Sequence, residues 1–238
     1  MTGPVPEAVQ QMFTRIVGRY DLMNRLMTAG RDRVWRARAA ALVAGGRRVL
    51  DLGCGTGDLS LAVAAAGVPT VVGIDFAPAM VRVAEAKRRR HPMGEQVRFL
   101  VADALALPFA DETFDGVVNA FVLRNLADLD QGLVEARRVL RPGGRLVCLE
   151  ITHPPAWLAP LFWLYFGQVV PLLGGIVAGD RGAYAYLPAS LRRFPPAPDL
   201  ARRLERLGFT NVRYERLGLG TVALHLAERP PHEPRHGR

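Results

Sequence analysis

A short apolar run leads into three glycines at alternate positions in the stretch Val49-Leu50-Asp51-Leu52-Gly53-Cys54-Gly55-Thr56-Gly57-Asp58. The run predicts a buried strand, and the alanine-rich residues 59–66 that follow predict a helix. Glycine at a strand-to-helix junction permits a positive φ and lets a ligand approach the backbone closely. The first turn of the helix also offers N–H groups that have no intrahelical partner. The junction therefore predicts a ligand site formed largely by backbone atoms.

The spacing of the glycines indicates which ligand to expect. Dinucleotide-binding loops usually carry G-x-G-x-x-G and place a pyrophosphate at the helix N-terminus. This chain has G-x-G-x-G instead, with Asp51 before it and Asp58 after it, and residues 50–66 contain no Arg or Lys to meet a phosphate. A nucleoside without phosphate and with a cationic amino-acid end fits better. The loop, with Asp51, Gly53 and Gly55, therefore predicts the cofactor S-adenosylmethionine (SAM).

The rest of the chain repeats a pattern of strand, turn and helix, which is typical of a parallel sheet covered by helices on both faces. We expect an α/β fold with a doubly wound, mostly parallel, seven-stranded sheet. The predicted strands are 48–52, 70–75, 97–102, 114–120, 144–150, 212–217 and 221–228. The predicted helices between them are 58–66, 78–90, 129–140 and 199–207.

The pattern predicts a single domain over residues 1–228 with two helical additions to the sheet. Residues 1–45 have apolar positions at helical spacing and predict an N-terminal helical layer, with helices at 7–16, 22–28 and 32–43. Residues 151–195 break the strand–helix rhythm and predict a cap insertion. The residues after 228 are rich in Pro, Arg and His, and residues 229–238 predict a disordered tail.

Three polar residues lie at the carboxyl ends of predicted strands, where open parallel sheets bind their ligands. Asp75 stands where an acid commonly accepts hydrogen bonds from ribose hydroxyls. Asp103 ends the next strand, and its carboxylate is placed to accept a hydrogen bond from an adenine amine. Asn119 ends the fourth strand. We therefore expect Asp75, Asp103 and Asn119 to lie with the glycine loop at one cofactor site.

The composition indicates which partners, metal sites and disulfides to expect. The chain has 238 residues and a formal net charge of +9, with Lys87 as its only lysine. That charge fits either attraction to an anionic surface or a bias of composition towards Arg. Cys54 and Cys148 lie far apart and no residues have metal-ligand spacing, so we expect neither a disulfide nor a metal. The N-terminus lacks the pattern of a signal peptide, which predicts a cytoplasmic protein.

Residues 156–179 carry no charged side chain and are rich in aromatic residues. A segment of that length is long enough to span a membrane. Pro160, Pro171 and three glycines would, however, interrupt a straight helix. We expect a cap of short helices with an apolar face, lying over the active site or on the bilayer surface.

Several segments together resemble one known family. The more specific ones are Phe121-Val122-Leu123-Arg124-Asn125 and the segment from Arg181 to Ser190. Tyr20-Asp21-Leu22-Met23-Asn24, the glycine loop and Leu140-Arg141-Pro142-Gly143-Gly144 also match. Over about residues 5–228 the chain resembles the demethylmenaquinone and 2-polyprenyl-6-methoxy-1,4-benzoquinol C-methyltransferases, a family of class I, Rossmann-like SAM-dependent enzymes.

The resemblance implies transfer of a methyl group from SAM to a ring carbon of a polyprenylated quinol, chiefly demethylmenaquinol to menaquinol. The residues that it implies are Thr56, Asp75, Asp103 and Ala104 at the cofactor, Arg124 and Asn125 in catalysis, and Tyr184 and Ser190 in the quinone pocket. Members of the family often have a hydroxyl residue where this chain has Ala120. We expect Asn119 or the backbone to take over the contact that such a hydroxyl makes.

The implied reaction needs a quinol hydroxyl to lose its proton, since the ring carbon is nucleophilic only with a phenolate-like oxygen in conjugation. Arg124 is expected to stabilise the developing phenolate or to position a water that takes the proton. A guanidinium stays protonated and is a poor base itself. We therefore expect water-assisted loss of the proton.

The expected partners are the prenylated quinol and the inner face of the membrane, with a homodimer as a further option. Benzoquinol methylation in ubiquinone synthesis is the main alternative activity. Methylation of nucleic acid or another small molecule is a second alternative, but the sequence has no RNA-binding module and we expect no nucleic-acid partner. A non-catalytic cofactor-binding protein is a third, and the combination of glycine loop, Asp75, Asp103 and Arg124 argues against it.

Overall fold

The computed structural model describes residues 6–231 and contains a seven-stranded sheet covered by helices on both faces. The strands are β1 (Arg48–Leu52), β2 (Thr70–Asp75), β3 (Val97–Val101), β4 (Phe114–Ala120), β5 (Leu140–Ile151), β6 (Thr210–Leu217) and β7 (Val222–Glu228). Their order is β3-β2-β1-β4-β5-β7-β6. The pairs from β3 to β5 are parallel, and β7 is antiparallel to both neighbours. The predicted seven-stranded, mostly parallel α/β sheet is confirmed.

The helices account for most of the remaining described chain. They are α1 (Pro6–Thr28), α2 (Asp32–Ala41), α3 (Asp58–Ala65), α4 (Pro78–Arg88), α5 (Leu129–Val139), α6 (Ala159–Leu164), α7 (Val170–Leu173), α8 (Arg181–Arg193) and α9 (Ala197–Arg206). Residues of α2 and α3 pack on one face of the sheet, and residues of α5 and α9 pack on the other. A third buried cluster joins α1, the apolar cap and α8 beside the sheet.

The first helix differs from the prediction. α1 is one continuous helix of 23 residues, so the break predicted between residues 16 and 22 is wrong. Met12, Ile16 and Met23 all lie buried on one side of it and continue its apolar face past Gly18. Glycine in a helix costs about 1 kcal/mol relative to alanine, and burial of one methionine offsets that cost with roughly 1.5–3 kcal/mol.

The cap insertion contains a helical run that is longer than predicted. From Ala159 to Ala178 the chain is helical throughout, with π-helical turns at Tyr165–Val169 and Gly174–Ala178 between and after α6 and α7. The predicted division into separate short helices is therefore wrong. Pro160 lies in the first turn, where no N–H is needed, and Pro171 follows the first π-helical turn. We call this run of residues 159–178 the apolar helix.

Two further differences concern the ends of β5 and the tail. β5 begins at Leu140 rather than at residue 144, because Leu140 already pairs with Phe114 of β4. The next pair is Gly116 with Arg145, so the pairing register between the two strands shifts at this point. Arg229, the first residue of the predicted tail, is hydrogen-bonded to Gly144 through its N–H at 2.9 Å. The rest of that prediction, from residue 232 onwards, lies outside the described residues.

Candidate active site

The glycine loop between β1 and α3 has a left-handed backbone at each of its three glycines. Their φ values are +72° at Gly53, +54° at Gly55 and +86° at Gly57. A Cβ on Gly53 would lie 2.5 Å from Val122, and one on Gly57 would lie 2.6 Å from Phe99. A Cβ on Gly55 would meet only the Tyr20 ring, at 3.9 Å. Two of the glycines are therefore required by packing, whereas Gly55 faces open space that a ligand can enter.

Two carboxylates, one at the end of β2 and one just after β3, line the same cavity as this loop. The Oδ2 atom of Asp75 accepts a hydrogen bond from the N–H of Gly55, and its Oδ1 accepts one from the N–H of Ala77, both at 2.8 Å. Burial raises the pKa of Asp75, while these two N–H groups oppose that shift. The Oδ1 of Asp103 accepts from the N–H of Leu105 at 2.8 Å. A carboxylate oxygen has two lone pairs, so both side chains keep acceptors for ligand hydroxyl or amine groups.

We call this space the first cavity. The predicted residues that line it are Gly53, Gly55, Thr56, Asp75, Asp103, Ala104 and Asn125. The amide oxygen of Asn125 is buried and has no hydrogen-bond partner among the described residues. The open space at Gly55, the two carboxylates and this unpaired acceptor fit a nucleoside with hydroxyl and amine donors. The fit agrees with SAM.

Two predicted cofactor residues lie beneath the first cavity and not on its wall. Asp51 is buried and accepts a hydrogen bond from the hydroxyl of Ser60 at 2.6 Å, and burial raises its pKa to about 7. Asn119 is also buried, and its Nδ2 lies 3.2 Å from the Sγ of Cys148. Both side chains therefore support the strand ends from within the core.

The loop is also tied to α1 by the only lysine. The Nζ of Lys87 lies 2.6 Å from a carboxylate oxygen of Asp21 and 2.6 Å from one of Asp58. It also donates to the hydroxyl of Thr56 at 3.0 Å, and that hydroxyl donates to Asp21 at 2.7 Å. From the sequence, Lys87 was identified only as the single lysine, and this cluster was not predicted.

A second cavity of about 450 Å³ lies beside the first. Most of its wall is apolar and comes from α1, from residues 158–166 and from α8. Arg124 and Tyr184 also line it, and the Nε of Arg124 and the hydroxyl of Tyr184 have no partner among the described residues. Ser190 does not line it; this side chain is buried, and its hydroxyl donates back to the carbonyl of Leu187 at 2.8 Å within α8. The cavity therefore suits a largely apolar molecule that carries a few polar groups.

Arg124 is held by a buried partner that the sequence reasoning missed. Its guanidinium pairs with the carboxylate of Glu150 near the end of β5, and the two side chains are 5% and 1% exposed. Burial raises the pKa of Glu150, and the positive charge of Arg124 opposes that shift. The available signal was a lone acid at the end of an apolar strand.

The two cavities share a wall formed by Phe13, Tyr20 and Phe121. Phe121 directly follows β4 and has a φ of +63°, which is uncommon for a residue other than glycine. Its carbonyl accepts a hydrogen bond from the Nδ2 of Asn125 at 3.3 Å. Burial raises the pKa of Tyr20, which keeps its hydroxyl protonated. A ligand in either cavity would thus contact the same three side chains.

Within residues 6–231, no group of three or more His, Cys, Asp or Glu side chains is arranged to hold a metal ion.

Comparison with known proteins finds relatives that all belong to one family of methyltransferases. The model of the ubiE/COQ5 methyltransferase family matches residues 1–229. A demethylmenaquinone methyltransferase of Thermus thermophilus is 48% identical over 223 residues, covering 92% of this chain and 100% of the relative. A ubiquinone/menaquinone biosynthesis C-methyltransferase of Desulfotalea psychrophila is 44% identical over 223 residues, covering 91% and 88%.

Solved structures share the fold at low sequence identity. The [4+2]-cyclase SpnF is similar with a TM-score of 0.73 and 22% identity, covering 98% of this chain and 99% of that one. A SAM-dependent methyltransferase of Thermotoga maritima, described as a possible histamine N-methyltransferase, has a TM-score of 0.66 and 19% identity, covering 93% and 99%. At these identities the likeness establishes the fold alone.

Proposed function

The chain belongs to the ubiE/COQ5 methyltransferase family, and from this premise we propose that it methylates a ring carbon of a prenylated quinol, with demethylmenaquinol as substrate and menaquinol as product. The observation that carries this proposal is the pair of adjoining cavities. One has the carboxylates and glycine loop suited to SAM, and the other is apolar with Arg124 at its wall. The shared wall of Phe13, Tyr20 and Phe121 is where the methyl donor and the ring would meet.

The residues of the first cavity fit SAM, which supplies an electrophilic methyl group on a sulfonium. Gly55 leaves room for the ligand, and Asp75 and Asp103 would accept hydrogen bonds from its hydroxyl and amine groups. We propose Gly53, Thr56 and Ala104 as further contacts, since they line the same cavity. Holding donor and acceptor in line is the main contribution that such a site makes to the rate.

Arg124 is the proposed catalytic residue in the second cavity. Its Nε is buried without a partner among the described residues, and leaving such a donor unpaired costs about 1–3 kcal/mol. A quinol oxygen that is losing its proton would satisfy this donor and gain negative charge beside a cation. Because a guanidinium stays protonated, the proton passes to water. Asn125, which lines the first cavity near Phe121, is proposed to orient that water or the ring, and Tyr184 to contact the quinol.

The test is to incubate the purified protein with methyl-labelled SAM and reduced demethylmenaquinone in detergent. We expect labelled menaquinone, and a much lower rate with Arg124→Ala than with the surface control Arg141→Ala, whose guanidinium pairs with Asp115 on the exposed side of the fold. A parallel incubation with the 6-methoxy-benzoquinol substrate separates the two ring classes. If only the benzoquinol is labelled, the substrate is a benzoquinol and not demethylmenaquinol. If neither quinol is labelled, the proposal is overturned.

We also propose that the protein binds peripherally at the cytoplasmic face of the membrane, where its substrate lies. The apolar helix is long and apolar enough to cross a membrane, and only 22% of its most apolar stretch is buried. Phe162 and Phe166 face the second cavity, while Leu164 and Ile176 on the opposite side are 59% and 73% exposed. Exposed apolar surface of this extent marks an interaction site.

Vesicle sedimentation tests this proposal. The wild-type protein is expected to pellet with anionic phosphatidylglycerol vesicles, because a chain with a net charge of +9 is attracted to them. The double variant Leu164→Ser/Ile176→Ser should stay in the supernatant while keeping its thermal unfolding temperature. If the wild type stays in solution and light scattering shows a dimer that the double variant abolishes, the face is a homodimer interface instead.

A further inference from the structure

Arg36 of α2 carries a positive charge into the first cavity, and the proposed reaction does not use it. The residue is 8% exposed, and its Nε has no hydrogen-bond partner among the described residues. The nearest anion is the carboxylate of Asp32, whose Oδ2 lies 3.7 Å from that Nε. The guanidinium also lies over the ring of Phe121, 5.3 Å from its centroid. A guanidinium has five N–H donors, and burying a charge without full pairing is costly.

The charged side chains of the first cavity are separated along the edge of the sheet, and Arg36 lies at the end opposite to Asp75 and Asp103. Asp103 follows β3, Asp75 ends β2, the glycine loop follows β1 and Phe121 follows β4. These strands are neighbours in that order, so the two carboxylates lie at one end of the first cavity and Arg36, over Phe121, lies at the other. Neighbouring strands are about 4.8 Å apart, which separates the Asp75 end from the Arg36 end by roughly 10 Å.

Arg36 is also the only Arg or Lys among the described residues that line the first cavity. It does not line the second cavity, although Asp32 and Trp35 of the same helix do. An anionic group that enters the first cavity thus has one cationic partner there. The carboxylates at the opposite end would repel an anion.

We propose that Arg36 binds the carboxylate of the amino-acid end of the cofactor and so fixes the direction in which the cofactor lies in the first cavity. The inference rests on SAM as the cofactor of the proposed function. The carboxylate is the anionic group of that molecule, and a guanidinium can donate two parallel hydrogen bonds to it. Arg36 is therefore a positioning residue, since it anchors the end of the cofactor beside the wall shared with the second cavity.

Calorimetry with two ligands tests the inference without any turnover. S-adenosylhomocysteine carries the carboxylate, and its decarboxylated analogue is otherwise the same. The wild type should bind S-adenosylhomocysteine about 10- to 100-fold more tightly than the analogue, the range expected for a hydrogen bond between charged groups. Arg36→Gln should lose that preference by weakening only the carboxylate-bearing ligand, and Arg36→Lys should recover part of it.

The control is Arg38→Gln on the same helix, because Arg38 pairs with Glu215 at the surface and lines neither the first nor the second cavity. It should leave both affinities unchanged. Equal affinities of the wild type for the two ligands would overturn the inference even if Arg36→Gln fails to fold. So would an equal loss of both ligands in Arg36→Gln. Failure of the wild type to methylate a quinol would overturn the proposed substrate but leave this ligand preference intact.

Discussion

The buried pair of Arg124 and Glu150 allows stability and catalysis to be measured separately. Its two side chains are 5% and 1% exposed, so removing one partner leaves the other charge buried and unpaired. Such a loss typically costs 3–5 kcal/mol, which is a large part of a total stability of about 5–15 kcal/mol. We therefore expect Arg124→Met and Glu150→Met each to lower the free energy of unfolding by roughly 3–5 kcal/mol.

The double variant Arg124→Met/Glu150→Met should regain most of that loss. Replacing both members of a buried pair by apolar side chains of similar volume is often neutral or stabilising, so we expect it within about 1 kcal/mol of the wild type. Its methyl transfer should nevertheless be as slow as that of Arg124→Met alone, because the cationic group in the second cavity is still missing. A stable but inactive double variant would separate the two roles of Arg124.

Urea unfolding followed by circular dichroism measures the stabilities, and labelled SAM with demethylmenaquinol measures the rates. The exposed pair of Arg38 and Glu215 is the control, since its atoms lie 2.8 Å apart but its side chains are 50% and 51% exposed. Breaking that pair should cost about 1 kcal/mol or less. The reasoning is refuted if the buried single variants cost no more than this control, or if their costs simply add in the double variant.

Three further predictions follow from the first cavity and its surroundings. Burial holds the pKa of Asp51 at about 7, against about 3.9 in the unfolded chain. The folded state therefore favours the protonated carboxyl. The stability that this preference gives is complete below pH 4 and is lost as the pH rises through 7. Asp51→Asn should remove that pH dependence and be more stable than the wild type at pH 8, by up to about 4 kcal/mol, as urea titrations at several pH values would reveal. Gly55→Ala should fold but bind S-adenosylhomocysteine weakly. Gly53→Ala should mainly lose stability, because its Cβ would lie 2.5 Å from a neighbouring side chain. Calorimetry and thermal unfolding distinguish the two variants, and equal behaviour of both would contradict the different roles assigned to the two glycines. Lys87→Met should weaken binding of the same ligand and increase hydrogen exchange in α1, because it removes the ion pair with Asp21 and leaves the Thr56 hydroxyl as the remaining contact between Asp21 and the loop. Unchanged exchange would show that the ion pair does not hold the helix.

The parts of the fold that could be predicted are those with local signals. The glycine loop, the apolar strands and the acids at their ends follow from short runs of sequence. The predicted sheet agrees with the observed one in having seven strands and in being mostly parallel. The first cavity was predictable for the same reason. Parallel strands bring their carboxyl ends to one edge, so Asp75, Asp103 and the loop had to meet.

The parts that could not be predicted depend on packing between distant segments. Glu150 pairs with Arg124 across 26 positions in the chain, and Lys87 reaches Asp21 on α1. Glu150 stands out as an acid at the end of an apolar strand, but nothing local names Arg124 as its partner. Nothing local distinguishes Lys87 from other basic residues. Asp51 shows the opposite case, because its place beside the glycines predicted a ligand contact whereas its side chain turns inward to Ser60.

The continuous α1 changes how the two cavities relate to each other. Had the chain broken after residue 16, as predicted, Phe13 and Tyr20 would not share one helix. On one rigid helix both side chains contribute to the wall that the cavities share. A ligand that orders this wall from one side therefore changes the surface met by the other ligand, and by linkage the effect on affinity is the same in both directions. Cofactor and quinol are thus expected to bind with mutual dependence, although each cavity has its own polar groups.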